Sequence, residues 1–247
     1  MDHVPLDLDP ATLLLAGVAA FVLAVVSAVA GFGGGVVLLP VFTALFGLRV
    51  AVPVLTLTQL VSNISRVTLN RRSVDLTLVG WFAVGAVPCA LGAGLVFATA
   101  PLAGLQRLLG LALLLVVVWR RLWPRPPRLS THAFIGVGAM SGLGSALVGS
   151  VGPLTAPFFL AFGLVKDAYI GTEASAAVVL HGAKLVAYGL GALLTFTVVG
   201  LGLLLAPPTM LGAWVGRHLV HRISDRVFVV VVEIGLVVSG VLLMLGA

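Results

Sequence analysis

GFGGGVVLLP, Gly31 to Pro40, and VGSVGPLTAP, Val148 to Pro157, are the two stretches on which the fold turns. Pro157 follows Pro40 by 117 residues, close to half of the 247-residue chain. Each is a Gly/Pro-broken segment that ends one long apolar run and begins a short one. Duplicated interruptions at corresponding places in two halves of a membrane chain point to a transporter's binding site.

Working outward, apolar runs fall at about 11–31, 36–47, 51–70, 75–99, 102–120, 130–148, 153–164, 168–187, 190–216 and 226–246. Most reach the ~20 residues that a helix needs to cross a bilayer. Runs 36–47 and 153–164 reach roughly 18 Å at 1.5 Å per residue, too short for a ~30 Å hydrocarbon core. They are expected to be half-helices or re-entrant segments, packed inside protein or lining a cavity. With 60% hydrophobic and 9% charged residues, the chain is expected to be an all-α polytopic membrane protein. The runs are continuously apolar and lack the period-two alternation of an outer-membrane barrel.

The net charge of +6 does not suggest nucleic acid, because the basic residues sit in short loops where they mark the cytoplasmic side. Three clusters occur: Arg71 and Arg72; Arg120, Arg121, Arg125 and Arg128; and Arg217, Arg222 and Arg226. With the N-terminus outside and an odd number of crossings in each half, all three fall inside. That bias favours two structural repeats of opposite orientation, spanning 1–123 and 131–247, joined by a basic, Pro-rich cytoplasmic linker at 124–130. Arg49 is the exception and falls outside. Pro88 and Gly92 recur as Pro208 and Gly212, and Arg49-Val50-Ala51 aligns with Lys166-Asp167-Ala168. The acidic N-terminus MDHVPLDLDP lacks the basic region of a signal peptide, so the first run is expected to persist as a helix.

Three features offer chemistry. Gly33, Gly34 and Gly35 precede the first short segment, and Ser150 and Gly152 precede the second. If each short segment is a helix, its first amides lack intrahelical partners and form an anion site; close packing through small residues is the rival reading. On run 51–70, Thr56, Gln59, Asn63, Arg66 and Asn70 are spaced 3, 4, 3 and 4, which puts them on one helical face. Such a stripe is costly against lipid, so it faces protein or a wet cavity. Neutral donors at Thr56, Gln59 and Asn63 suit an oxyanion that must bind and leave; interhelical bonding alone is the bland alternative. Arg66 serves a ligand or snorkels. Run 168–187, the mate of that helix, holds Glu173, His181 and Lys184. His181 is a candidate substrate donor, Lys184 lies near the outer end within snorkelling reach, and Glu173 either couples protons or faces cytoplasmic solvent. Arg66, Glu173 and Lys184 are thus candidate coupling or charge partners. Glu233 in the last run is a functional carboxylate by default, with a snorkelled or Arg-paired role as the alternative, and Arg107 is a candidate partner for a substrate or for an acid; the sequence does not choose.

Metalloprotease, nucleophile-elbow and phosphate-loop motifs are absent, which argues against an enzyme and gives no cofactor. One cysteine, Cys89, and few acids argue against a metal site.

The segment AGFGGGVVLLPVFTALFGL, Ala30 to Leu48, followed by Ala51, Thr56 and Asn63, resembles the sulfite exporter TauE/SafE family of bacterial membrane permeases. A weaker copy follows Gly142, and P-x-x-x-G-A occurs in both halves. The second half departs from the first, keeping only Gly149 and Gly152 of a Gly-rich turn. The resemblance implies a multi-pass permease of the bacterial cytoplasmic (inner) membrane that moves sulfite or a short organosulfonate such as sulfoacetate. Combined with the residues, it suggests a secondary transporter of a small sulfur oxyanion working by alternating access, in the export direction, with protons as a candidate coupling ion. A passive anion channel and a carrier for another small anion are the alternatives.

Overall fold

The computed structural model describes residues 9–29, 35–99, 129–148, 152–164 and 166–219, with single helical residues and pairs between 107 and 122 and between 234 and 245. Gly33, Gly34, Ser150, Glu233, most of the linker and most of run 226–246 lie outside the described residues. Within them the chain is helical and carries no strand. The helices are α1 (Pro10–Val29), α2 (Gly35–Phe46), α3 (Leu48–Asn70), α4 (Leu76–Thr99), α5 (Phe134–Val148), α6 (Gly152–Ala161), α7 (Lys166–Leu190) and α8 (Phe196–Leu219).

Local chemistry sets these boundaries. Asp9, Asp75 and Thr195 each accept a hydrogen bond from the amide three residues on, at Thr12 (2.8 Å), Leu78 (3.0 Å) and Val198 (3.3 Å). These are N-caps, which satisfy first-turn donors that the helix cannot. The run expected at 190–216 therefore divides: α7 ends at Leu190 and α8 begins only at Phe196. Leu193 N–H bonds Tyr188 O at 2.8 Å and Ala192 N–H bonds Gly189 O at 3.1 Å, with Ala192 at φ 56°. This is a Schellman close, which ends a helix by turning one residue left-handed.

The two short helices end alike. Phe46-Gly47-Leu48 closes α2 and Phe162-Gly163-Leu164 follows α6, with φ of 74° at Gly47 and 102° at Gly163. Only glycine adopts such angles without strain. The short runs are thus separate helices of 12 and 10 residues, as their length requires.

Among the described residues, Leu48–Thr68, Leu76–Thr99 and Phe196–Gly216 are long and apolar enough to cross a membrane. The 25-residue α7 matches them in length but carries Lys166, Asp167, Glu173 and Lys184. It is accommodated by position. Glu173, His181 and Lys184 are buried, while Leu14, Val84, Leu203 and Trp214 on surrounding helices are exposed. Polar inside and apolar outside is the arrangement that a bilayer imposes.

Packing follows a simple rule of exchange. α4 lies on α5 as α8 lies on α1; α4 lies on α7 as α8 lies on α3; α2 and α6 each pack on the long helix that follows; and α3 crosses α7. Swapping α1–α4 for α5–α8 returns the same neighbours. Two apolar clusters result. One joins Ala16, Leu38, Phe42, Leu55 and Leu201, from α1, α2, α3 and α8. The other joins Phe82, Phe134, Phe159 and Leu180, from α4, α5, α6 and α7.

The α4–α5 seam is drawn tight by glycines. A Cβ at Gly85 would collide with the backbone of Ile135 and Ala139, and one at Gly138 with the backbone of Phe82 and Ala86. These are small residues that let membrane helices approach closely. Gly85→Ala is expected to cost about 1–3 kcal/mol through overpacking, read as a lower melting temperature in detergent. Gly80→Ala, with open space at its Cβ, is expected to leave the melting temperature unchanged.

Candidate functional site

α3 and α7 run antiparallel through the middle of the molecule. Asn70 lies against Gly171, Arg66 pairs with Glu173, and Thr56 sits beside the Tyr188 hydroxyl. Between these anchors Gln59 and Asn63 of α3 fall in the same interval as His181 and Lys184 of α7. The amide of Asp75, at the start of α4, donates to Thr172 Oγ1 at 3.0 Å and fixes the α3–α4 turn on α7.

The stripe read from the sequence is an inward face. Thr56, Gln59, Asn63 and Asn70 are buried, and Arg66 keeps 22% of its side chain exposed. Part of the stripe is consumed locally. Thr56 Oγ1 donates to Val52 O at 2.8 Å, Asn63 Nδ2 to Gln59 O at 2.9 Å, and Asn70 Nδ2 to Arg66 O at 2.8 Å. Each is a bond back to the preceding turn, which a side chain makes when water is absent.

Arg66 neither snorkels freely nor stands alone. Its Nη1 donates to Asn63 Oδ1 at 2.9 Å, and its Nη2 lies 3.0 Å from Glu173 Oε2. Glu173 does not face solvent, as one sequence reading allowed: it is 2% exposed. Its Oε1 lies 3.4 Å from the Thr155 hydroxyl, in the first turns of α6. The same hydroxyl is 3.3 Å from Gly152 O, so one proton is shared between two acceptors. The short helix α6 is thereby tied to the ion pair. Gly152 is its buried first residue, and Gly35 is the first residue of α2.

Lys184 corrects another expectation. It does not snorkel, being 0% exposed. Its Nζ donates to Ser145 O on α5 at 2.9 Å and stands 6.0 Å from the Tyr188 ring centre. Tyr188 in turn donates to Ala146 O at 3.4 Å. Among the described residues, polar atoms with no hydrogen-bond partner include His181 Nδ1, one turn before Lys184, Ser145 Oγ, on the residue whose carbonyl Lys184 bonds, and Ser141 Oγ one turn before it on α5, with Gln59 Nε2 on α3 and Thr43 Oγ1 on α2. Buried polar atoms are satisfied in the great majority of cases, so a group of unsatisfied ones marks a place where something polar binds.

The structure thus brings Thr56, Gln59, Asn63, Arg66, Glu173, His181 and Lys184 onto one crossing. Sequence reasoning missed Thr155, Tyr188 and the two α5 serines. Tyr188 stood one turn beyond Lys184 on the same face, a signal legible in the spacing. Thr155 and the serines contact the site only across helices. Arg49, the basic exception, donates to Ala98 O at 2.9 Å at the end of α4.

Glu173 and Arg66 stabilise one another in a medium that tolerates neither alone. Glu173→Leu is expected to lower stability by about 3 kcal/mol, because it strands a partly buried cation. Adding Arg66→Met is expected to recover most of that loss. Thermal unfolding in detergent, run as a double-mutant cycle, measures both.

No curated protein and no solved structure matches this chain. A protein-family model does, that of the sulfite exporter TauE/SafE, over residues 16–243. These residues take in every helix of the α3–α7 crossing and both short segments. The chain is therefore a membrane protein belonging to the sulfite exporter TauE/SafE family.

Proposed function

We propose that this protein is a secondary transporter that exports a small sulfur oxyanion, sulfite or a short organosulfonate such as sulfoacetate, across the bacterial cytoplasmic membrane. The observation that carries the reading is the crossing of α3 and α7. There a buried polar face with unpartnered donors lies where the α1–α2–α3–α8 bundle meets the α4–α5–α6–α7 bundle.

The mechanism follows from that placement. The second cluster lies within the α4–α5–α6–α7 bundle, the first centres on the α1–α2–α3–α8 bundle and takes in Phe97 of α4 and Tyr188 of α7, and the Arg66–Glu173 pair spans the junction. Rigid rocking of one bundle on the other opens the junction to either side in turn, which is alternating access. Gln59, Asn63, Thr56 and His181 bind the oxyanion, with backbone amides at the starts of α2 (Gly33 to Gly35) and α6 (Ser150 to Gly152) as further donors. Glu173 is the carboxylate available to couple protons, because moving its charge loosens Arg66 and Thr155 together.

The repeats 1–123 and 131–247 are inverted, with the linker 124–130 in the cytoplasm and the N-terminus outside. Two features support this. The helix neighbours survive exchange of the halves, and the exchanged mates α3 and α7 are antiparallel. Helices that exchange and run in opposite directions across a bilayer belong to repeats of opposite topology.

The test is counterflow of labelled sulfite in proteoliposomes against unlabelled sulfonates and other anions. Saturable counterflow competed by sulfonates is expected. Flux that rises linearly with concentration and shows no counterflow makes the protein a channel; competition by unrelated anions alone changes the cargo. Gln59→Met, which removes an unpartnered donor while keeping the side-chain length, is expected to raise the half-saturation concentration about tenfold, equivalent to ~1.4 kcal/mol.

A further inference from the structure

The exchange of halves can be applied residue by residue to the ion pair. It carries Pro40 to Pro157 and Gly47 to Gly163, shifts of 117 and 116 residues, and carries Arg49 to Lys166. The same shift takes Glu173 of α7 to Thr56 of α3. It takes Arg66 to within one residue of Lys184. The crossing therefore holds two corresponding stations. In one, a cation on α3 meets a carboxylate on α7, Arg66 with Glu173 at 3.0 Å. In the other, a cation on α7, Lys184, donates to Ser145 O on α5 and stands 6.0 Å from the ring of Tyr188, whose hydroxyl lies beside Thr56, the residue in the carboxylate's place.

The difference has an electrostatic consequence. The first station is neutral. The second buries an amine completely, and its hydrogen-bonded partner is an uncharged carbonyl, Ser145 O at 2.9 Å. Arg66–Glu173 is the ion pair seen among the described residues, and Glu173 sits eleven positions from Lys184, about three helical turns away. An ammonium held in an apolar interior without an opposite charge costs several kcal/mol, a cost removed when an anion sits beside it. The groups around Lys184 suit an oxyanion. Among the described residues the Ser141 and Ser145 hydroxyls and His181 Nδ1 are buried without partners, and Gln59 Nε2, also unpartnered there, lies one turn along α3 from Thr56.

We propose that Lys184 provides the charge that recognises the transported oxyanion, at the station that corresponds to the one where Arg66 holds Glu173, and that an uncharged residue at Thr56 leaves the Lys184 station to the substrate. The inference rests on the transport reading above and adds to it the residue that selects for negative charge. The oxyanion takes the role that the Glu173 carboxylate plays at the first station: it accepts from a buried cation and from a nearby hydroxyl. The two stations explain why a symmetric crossing has one binding place. One is closed by the protein's own carboxylate, and the other is open.

Two variants test it from opposite directions, each read by sulfite counterflow in proteoliposomes and by the sulfite-dependent rise in melting temperature of the purified protein. Lys184→Met keeps the length and removes the charge. Thr56→Glu keeps Lys184 and supplies the missing carboxylate. Both are expected to raise the half-saturation concentration at least about tenfold, the scale of a lost charge-assisted hydrogen bond. Both are also expected to abolish the melting shift, while Lys184→Arg retains it. Without sulfite, Thr56→Glu is expected to melt at or above the wild-type temperature, because its carboxylate meets Lys184; a protein damaged by the substitution would melt lower. If Lys184→Met does not fold, Thr56→Glu decides. Half-saturation within about twofold of wild type in a folded Lys184→Met, or a full sulfite-induced melting shift in Thr56→Glu, overturns the proposal. Absence of saturable counterflow and of any melting shift in the wild type overturns the transport reading itself, and this inference with it.

Discussion

The structure depends on one constraint: the polar groups of α3 and α7 have no water to turn to, so each helix must answer the other. α7 is long enough to span a bilayer, yet it carries Glu173, His181 and Lys184 along its inner face. α3 carries Gln59, Asn63 and Arg66. Neither face is tolerable against lipid. Their crossing forms a seam in which Arg66 pairs with Glu173, while α3 packs into the first apolar cluster and α7 into both. The positions of α4 and α8 follow, since each packs against one member of the crossing and against the first helix of the other half.

The division of labour among residue types is consistent with that constraint. Small residues set the distances. Gly85, Gly138 and Gly142 hold α4 and α5 in backbone contact, and Gly212 brings α8 against Phe21 and Ala24 of α1. Aromatic rings fill the clusters, as where Phe134 meets Phe159 at 4.9 Å between ring centres. Among the described residues the buried charges, Glu173 and Lys184, sit at the junction, and Arg71 and Arg72 are exposed at the turn after α3. The junction is thus joined both by the Arg66–Glu173 pair and by apolar packing that takes in Phe97 and Tyr188. Directional bonds can be exchanged for bonds to a ligand at small net cost, which is what a moving interface requires.

The short helices have a related role. α6 reaches Glu173 through Thr155, so the re-entrant element touches the ion pair that links the bundles. Its partner α2 leads through Gly47 into α3 with hardly a break, Ala51 N–H bonding Gly47 O at 2.9 Å.

Much of this was legible in the sequence. The helical class, the two short segments and the inward stripe on α3 all follow from run length and from 3.6-residue spacing, which are properties of a helix taken alone. The expected duplication rests on Pro40 and Pro157; the Phe-Gly-Leu triplets at 46–48 and 162–164, which the sequence reading passed over, stand at nearly the same offset. Spacing within one chain segment also placed Glu173 and Lys184 three turns apart, too far to pair. It left open which of them was buried and what each met, because helix position does not reveal which neighbour covers a face. Tertiary structure decided that Glu173 meets Arg66, that Lys184 turns inward to Ser145, and that Thr155 joins them. These contacts lie 18 to 107 positions apart in the chain. Their geometry is fixed by the packing of whole helices, which no local pattern of residues encodes.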